Sequence, residues 1–160
     1  MQIAVVDRPN DPLSLRLYQR NMVREIHALG AKTAICPEAG PIPAGCDLVR
    51  HPALCMRRVP QILASAVVPV VGTIHGVKVF SLPLNELVFG VETKQYLLEL
   101  KKALIEDWKW LRTKTRAIIA VSHYAAEEAR VAFDLDSPLV QVVYNGVDHE
   151  TFTPHGEREA

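Results

Sequence analysis

A doubly wound α/β domain, with a mostly parallel sheet of six or seven strands and helices on both faces, is the fold the sequence predicts. Three observations carry that prediction. Short apolar runs alternate with segments of helical periodicity, an order that calls for parallel strands joined by right-handed crossovers. The runs are continuously apolar rather than alternating, as strands covered on both faces are. The chain has 160 residues, 49% of them apolar and 22% charged, which suits one globular domain with a sizeable core.

The candidate strands are Gln2–Val6, Lys32–Cys36, Cys46–Val49, Val68–Ile74, Ala117–Val121 and Leu139–Val143. Between the first two, Leu15, Tyr18, Met22, Ile26 and Leu29 recur at spacings of three and four and form one helical face. Asp11 is the expected cap of that helix, Pro12 its first residue and Gly30 its terminator. Pro37 to Gly45 reads as a loop, and Ala53–Ser65 as a helix kinked or restarted at Pro60. Val77 to Asn85 is irregular. A long helix follows over Val91–Arg112, with Leu97, Leu100, Leu104, Trp108 and Leu111 on one face, and His123–Phe133 is the last helix. Trp110 falls off the apolar face, so it is expected to be exposed or to meet a partner. At the end, Asn145-Gly146 favours a tight turn, Asp148 suits a helical cap and Pro154 discourages continuation. The domain is expected over residues 1–150, with 151–160 the start of a linker.

Composition narrows the function. Formal net charge is zero, so nothing draws the whole molecule toward nucleic acid, and the scattered aromatics form no stacking platform for bases. Cys36, Cys46 and Cys55 contain no C-x-x-C pair and read as reduced, buried thiols rather than a disulfide framework or zinc site. No leader or long apolar span is visible, so the chain is expected in the cytoplasm. Arg16, Arg20 and Arg24 lie opposite the apolar face of the first helix, and Arg50, Arg57 and Arg58 add local positive charge. Such runs are usually solvated. The sharper alternative is contact with an anionic lipid surface, at the inner face of the membrane, or with a phosphorylated acceptor.

Among single residues, His75 is the strongest candidate. It ends a buried strand and precedes Gly76 and an irregular loop, and ligands of open α/β sheets bind beyond the carboxyl ends of strands. A histidine there either donates to a hydroxyl, titrates near neutral pH, or merely caps the strand. Asp7 to Asp11 joins the first strand to the first helix, where many such folds bind phosphate; Asp11 would repel an anion, leaving Arg8 and Asn10 to meet an acceptor or simply to shape the turn. Ser122 reads as a helix cap or a cleft residue, and Asn145 as a turn former or a cleft contact. No Ser/His dyad is expected, since no G-x-S-x-G elbow occurs. Asp134 and Asp136 have D-x-D spacing but fall in a turn, so no metal is implied.

Three segments together resemble a known family. Val70-Val71-Gly72-Thr73-Ile74-His75-Gly76 is similar to a T-x-H strand end, Ala117 to Ser122 to a strand ending in Ser before the last helix, and Asn145-Gly146-Val147-Asp148 with Phe152 and Pro154 to an N-G-V-D-x-x-x-F-x-P exit. In this order they resemble the N-terminal domain of retaining family 4 glycosyltransferases of the GT-B fold, a Rossmann-like half. The resemblance spans Met1 to Pro154. It implies transfer of a hexose-type sugar from a nucleoside-diphosphate sugar to a sugar or lipid-linked acceptor. It places His75 against the transferred sugar in a catalytic role; further substrate contacts are expected at Arg8, Asn10, Gly76, Ser122 and Asn145, with the loops at Arg8–Asp11 and Val77–Leu84 shaping the acceptor pocket. It implies no metal and no cofactor beyond the donor. The donor would be held mainly by a C-terminal GT-B domain, in cis or in trans, bearing an E-x7-E motif that is not in this sequence. On that reading the isolated chain is inactive or very weak. The first loop departs from the family pattern, for it has no glycine pair, which puts phosphate contact there in doubt. Two other readings stay open: a stand-alone binding or regulatory subunit of a split glycosyltransferase, and an unrelated small α/β nucleotide-binding domain.

Overall fold

The computed structural model describes residues 1–81 and 94–146. The strands are β1 (Gln2–Asp7), β2 (Lys32–Pro37), β3 (Leu48–Leu54), β4 (Val70–Ile74), β5 (Thr115–Ala120) and β6 (Val140–Val142). All described pairings are parallel, and they form one sheet in the order β2-β1-β3-β4-β5-β6. The helices are α1 (Leu13–Ala28), α2 (Gln61–Ala64), α3 (Lys78–Ser81), α4 (Lys94–Lys114) and α5 (His123–Phe133), with a short 3-10 turn at Ser137–Leu139. The predicted doubly wound α/β class is the one observed. Asp148, Phe152, Pro154 and the Pro83 loop lie outside the described residues.

Strand alternation sorts the two layers. Ala4, Val6 and Val49 belong to the main core with Leu97, Leu104, Trp108 and Leu111 of α4 and Ala125, Ala126, Ala129 and Phe133 of α5. Within it, Trp108 stacks on Phe133 at 4.5 Å between ring centroids. The opposite parity places Arg50, the register partner of Val5, toward α1, where its guanidinium donates to Tyr18. Thus α1 covers the β1–β3 side of one face while α4 and α5 fill the other.

Four local expectations are corrected. Residues 53–65 are not one helix: β3 continues to Leu54, and only Gln61–Ala64 is helical. Pro52 has no N–H to give, and the β3–β4 register skips Pro52 and Ala53. Asp11 does not cap α1; Pro12 occupies that position without a side-chain bond, while the Asp11 carboxylate turns toward Arg8. The apolar stripe of α1 is only shallowly covered, with Leu15 its one buried residue and Leu29 at 86% exposure. Trp110 is half-buried against the core rather than exposed.

Gly72, on β4 beside β3, is required for steric reasons. A Cβ there would stand 2.0 Å from Leu54 Cδ1 and 2.8 Å from its branch carbon, and Leu54 is fully buried. Gly72→Ala should therefore destabilise the fold by about 1–3 kcal/mol, read as a lower urea midpoint. Combining it with Leu54→Ala should cost less than the two separate effects together. Strict additivity would show that these side chains do not compete for the space.

Candidate active site

The order β2-β1-β3 sets a topological switch point between β1 and β3. The chain leaves the two strands in opposite directions, and the parting loops open a crevice at their carboxyl ends. A cavity of about 760 Å³ lies there. Asp11 and Pro12 line it from the β1 exit, Cys55 to Arg57 from the β3 exit, and His75 to Val77 from the β4 exit. Its far wall is Leu97 and Leu100 of α4, with Tyr124 and Glu128 of α5.

The irregular end of β3 positions His75. Because the ladder skips Pro52, the Pro52 carbonyl is available to a side chain, and His75 Nε2 lies 3.1 Å from it. A carbonyl only accepts, so Nε2 carries the proton and Nδ1 keeps its lone pair. The Tyr18 ring meets the imidazole edge-on at 4.9 Å. Burial lowers the His75 pKa, the carbonyl bond partly opposes this, and the positive Arg50 lowers it again. The ring is therefore neutral at pH 7, a donor on one side and an acceptor on the other.

Beneath it lies a charged layer unusual for the interior of a sheet. Arg50, 4% exposed, donates to Tyr18 Oη at 3.1 Å and Thr73 Oγ1 at 3.0 Å, both hydroxyls, and its Nη1 has no hydrogen-bond partner among the described residues. His51, fully buried, accepts the Ala53 N–H at Nδ1 (3.3 Å), and its Nε2 is unpartnered among the described residues. Burial first, then the charges of Arg8 and Arg50, push its pKa down to about 3. Cys55 closes β3 at φ 71°, a conformation non-glycine side chains adopt at a cost. Its thiol is buried and its pKa raised by that burial, so it supplies no thiolate nucleophile to the cavity. Among the described residues no three His, Cys, Asp or Glu side chains gather as metal ligands would, and no helix is long and apolar enough to cross a membrane.

The residues singled out from sequence fall in three places. His75 and Gly76 line the main cavity. Arg8 lines an adjoining recess with Arg57 and Arg58, and Asn10 reaches it only through its carbonyl, which accepts from Arg57 Nη2 at 3.1 Å. Ser122 caps α5, accepting the Ala125 N–H at 3.0 Å. Asn145 lines a separate groove against Tyr18, Asn21 and Met22 of α1. Sequence reasoning did not assign Tyr18, Tyr124 or Glu128 to the site. Tyr124 and Glu128 carried a signal, four residues apart at the start of a helix and so on one face. Glu128 Oε1 is buried without a hydrogen-bond partner among the described residues, which makes it an acceptor in the wall of the cavity.

No curated protein matches the chain. Residues 43–151 match Glycosyltransferase Family 4, a span that takes in β3 with its irregular end, the His75 turn and all of β5, α5 and β6. With the all-parallel sheet and the cavity at its switch point, that match defines the lineage: the chain belongs to Glycosyltransferase Family 4.

Proposed function

We propose that this chain is the acceptor-side half of a two-domain GT-B glycosyltransferase that moves a sugar, with retention, from a nucleoside-diphosphate sugar to a hydroxyl of a sugar or lipid-linked acceptor. The observation that carries this reading is His75, a neutral imidazole fixed by the Pro52 carbonyl and set in the wall of the switch-point cavity. Its lone-pair nitrogen suits a hydrogen bond from a hydroxyl of the transferred sugar. Glu128 and Asp11 offer carboxylates for further hydroxyls, and Val77, Val79 and Leu97 supply the apolar surface that sugar C–H faces need.

In such a transfer the bond between the anomeric carbon and the leaving diphosphate oxygen breaks. The acceptor oxygen bonds to the same carbon, and its proton passes to the departing diphosphate, which has taken the electron pair of the broken bond. Positive charge builds on the sugar ring and negative charge on the diphosphate. A neutral histidine does not oppose that positive charge, as an imidazolium would. Stabilising the diphosphate is assigned to a partner domain, in cis or in trans, so this chain alone is expected to be inactive or very weak.

The test is release of nucleoside diphosphate from a panel of donor sugars by the complete natural polypeptide, with the product anomer read by NMR. Acceptor-dependent release from one donor, with the donor's anomeric configuration kept in the product, is expected. Folded protein that releases nothing from any donor would refute the reading, and an inverted product would refute retention.

A further inference from the structure

The main cavity does not end at Arg57. A second recess of about 440 Å³ adjoins it, and the two share Arg57, Tyr96 and Leu100 in their walls. The chemistry of the two lobes differs. The first is mostly apolar with hydroxyl-binding groups; the second is lined by three guanidinium groups, Arg8, Arg57 and Arg58, against the carboxylates of Glu38 and Glu99.

These groups are not equally engaged. Arg58 is held by Asp107 through bonds of 2.8 and 2.7 Å. Glu99 accepts from the Gln95 amide at 2.6 Å. Arg8 is 4% exposed, yet its nearest described carboxylates are loose, Glu38 at 3.4 Å and Asp11 at 3.7 Å, and its Nε has no hydrogen-bond partner among the described residues. Charge-assisted hydrogen bonds are normally about 2.7–2.9 Å, so these carboxylates balance the charge of Arg8 without a tight bond to it. Arg57 makes its one described bond to the Asn10 carbonyl, and among the described residues it forms no ion pair. Arg50 stands behind, and its described hydrogen bonds go to the Tyr18 and Thr73 hydroxyls.

From this we infer that the second lobe is an anion subsite in which Arg57 and Arg8 bind a phosphate group carried by the acceptor. Arginines that merely tie loops together account for Arg58, but they leave the buried Arg8 Nε bare among the described residues, beside an exposed Arg57 with no described ion pair. The anion site stands on these contacts alone; its assignment to the acceptor rests on the glycosyltransferase reading.

The experiment titrates inorganic phosphate into the ¹⁵N-labelled chain and follows the arginine Nε–H signals. Saturable shifts at Arg57 and Arg8 are expected, with affinity falling roughly tenfold in Arg57→Ala and partly recovered in Arg57→Lys. Arg57 is exposed, so Arg57→Ala should fold as the parent does. Shifts that do not saturate, or that survive Arg57→Ala unchanged, would overturn the site. A hexose phosphate binding tighter than the free hexose assigns the phosphate to a soluble acceptor. Arg57-dependent binding to phosphatidylcholine vesicles only when phosphatidylglycerol is added assigns it to a lipid headgroup. Displacement of phosphate by a nucleoside diphosphate would give the lobe to the donor and overturn the acceptor assignment. Phosphate binding without sugar transfer by the complete enzyme would retain the subsite and refute the function; transfer without phosphate binding would do the reverse.

Discussion

Acidification from pH 7 to pH 4 should cost the fold about 3 kcal/mol through His51 alone. The ring is fully buried, its folded-state pKa is about 3, and an ordinary histidine titrates near 6.5. A depressed folded-state value means that the unfolded chain takes up the proton first. The contribution to stability is therefore fully present above about pH 6.5 and is lost progressively as the pH falls toward 3. Protonating the folded ring would place a proton on Nδ1, break the acceptor bond to the Ala53 N–H, and add a third cation beside Arg8 and Arg50. His75 adds to the slope with the same sign, since its pKa is also lowered. His51→Asn keeps an acceptor near the Nδ1 position and cannot titrate. The difference between parent and variant in urea-derived stability should change by roughly 1.4 kcal/mol per pH unit between pH 6 and 4. Parallel curves for the two proteins across that window would mean that His51 is solvated or already charged in the native state.

The strands that were legible in the sequence are those whose neighbours demand nothing unusual of them. Val70–Ile74 and Thr115–Ala120 lie in the middle of the sheet, so their apolar runs are continuous. The second half of β3 was hidden for the opposite reason. Arg50-His51-Pro52 reads as polar and strand-breaking, yet all three are buried, because Tyr18 and Thr73 accept from Arg50 and the Ala53 N–H meets His51. Those partners are distant in sequence or set by the turn itself, and no local propensity encodes them. The failed Asp11 cap has the same origin: Arg8 competes for the carboxylate. Likewise His75 was legible as the residue after a buried run. The rest of its cavity comes from loops and helix ends brought together only by the sheet order. Arg57 stood out in sequence as charge, and Glu128 only through its spacing of four from Tyr124. What made each a site residue was the absence of a described counter-charge for one and, for the other, a buried Oε1 without a described hydrogen-bond partner.

Removing the imidazole of His75 should abolish most of the transfer activity of the complete enzyme while sparing its fold. The side chain is half-buried and makes one described hydrogen bond, to a carbonyl that water can reach once the ring is gone. His75→Ala should therefore shift the urea midpoint little, and lower kcat/KM about 100-fold, a loss typical of a positioned polar contact felt in the transition state. His75→Gln offers an amide N–H for the Pro52 carbonyl and an oxygen toward the sugar, and should recover part of the loss. The pH profile separates contact with substrate from simple support of the cavity wall. Burial, with help from Arg50, lowers the ring's pKa, so the accepting form persists below pH 6.5 and the acid limb of kcat/KM should lie on the acidic side of that value. Neutralising the neighbouring charge with Arg50→Gln should move that limb upward, because one of the two influences depressing the pKa is removed. A limb that stays in place, together with full activity in His75→Ala, would mean that the sugar is held elsewhere. Glu128 would then be the next residue to test, since its buried Oε1 lacks a described hydrogen-bond partner.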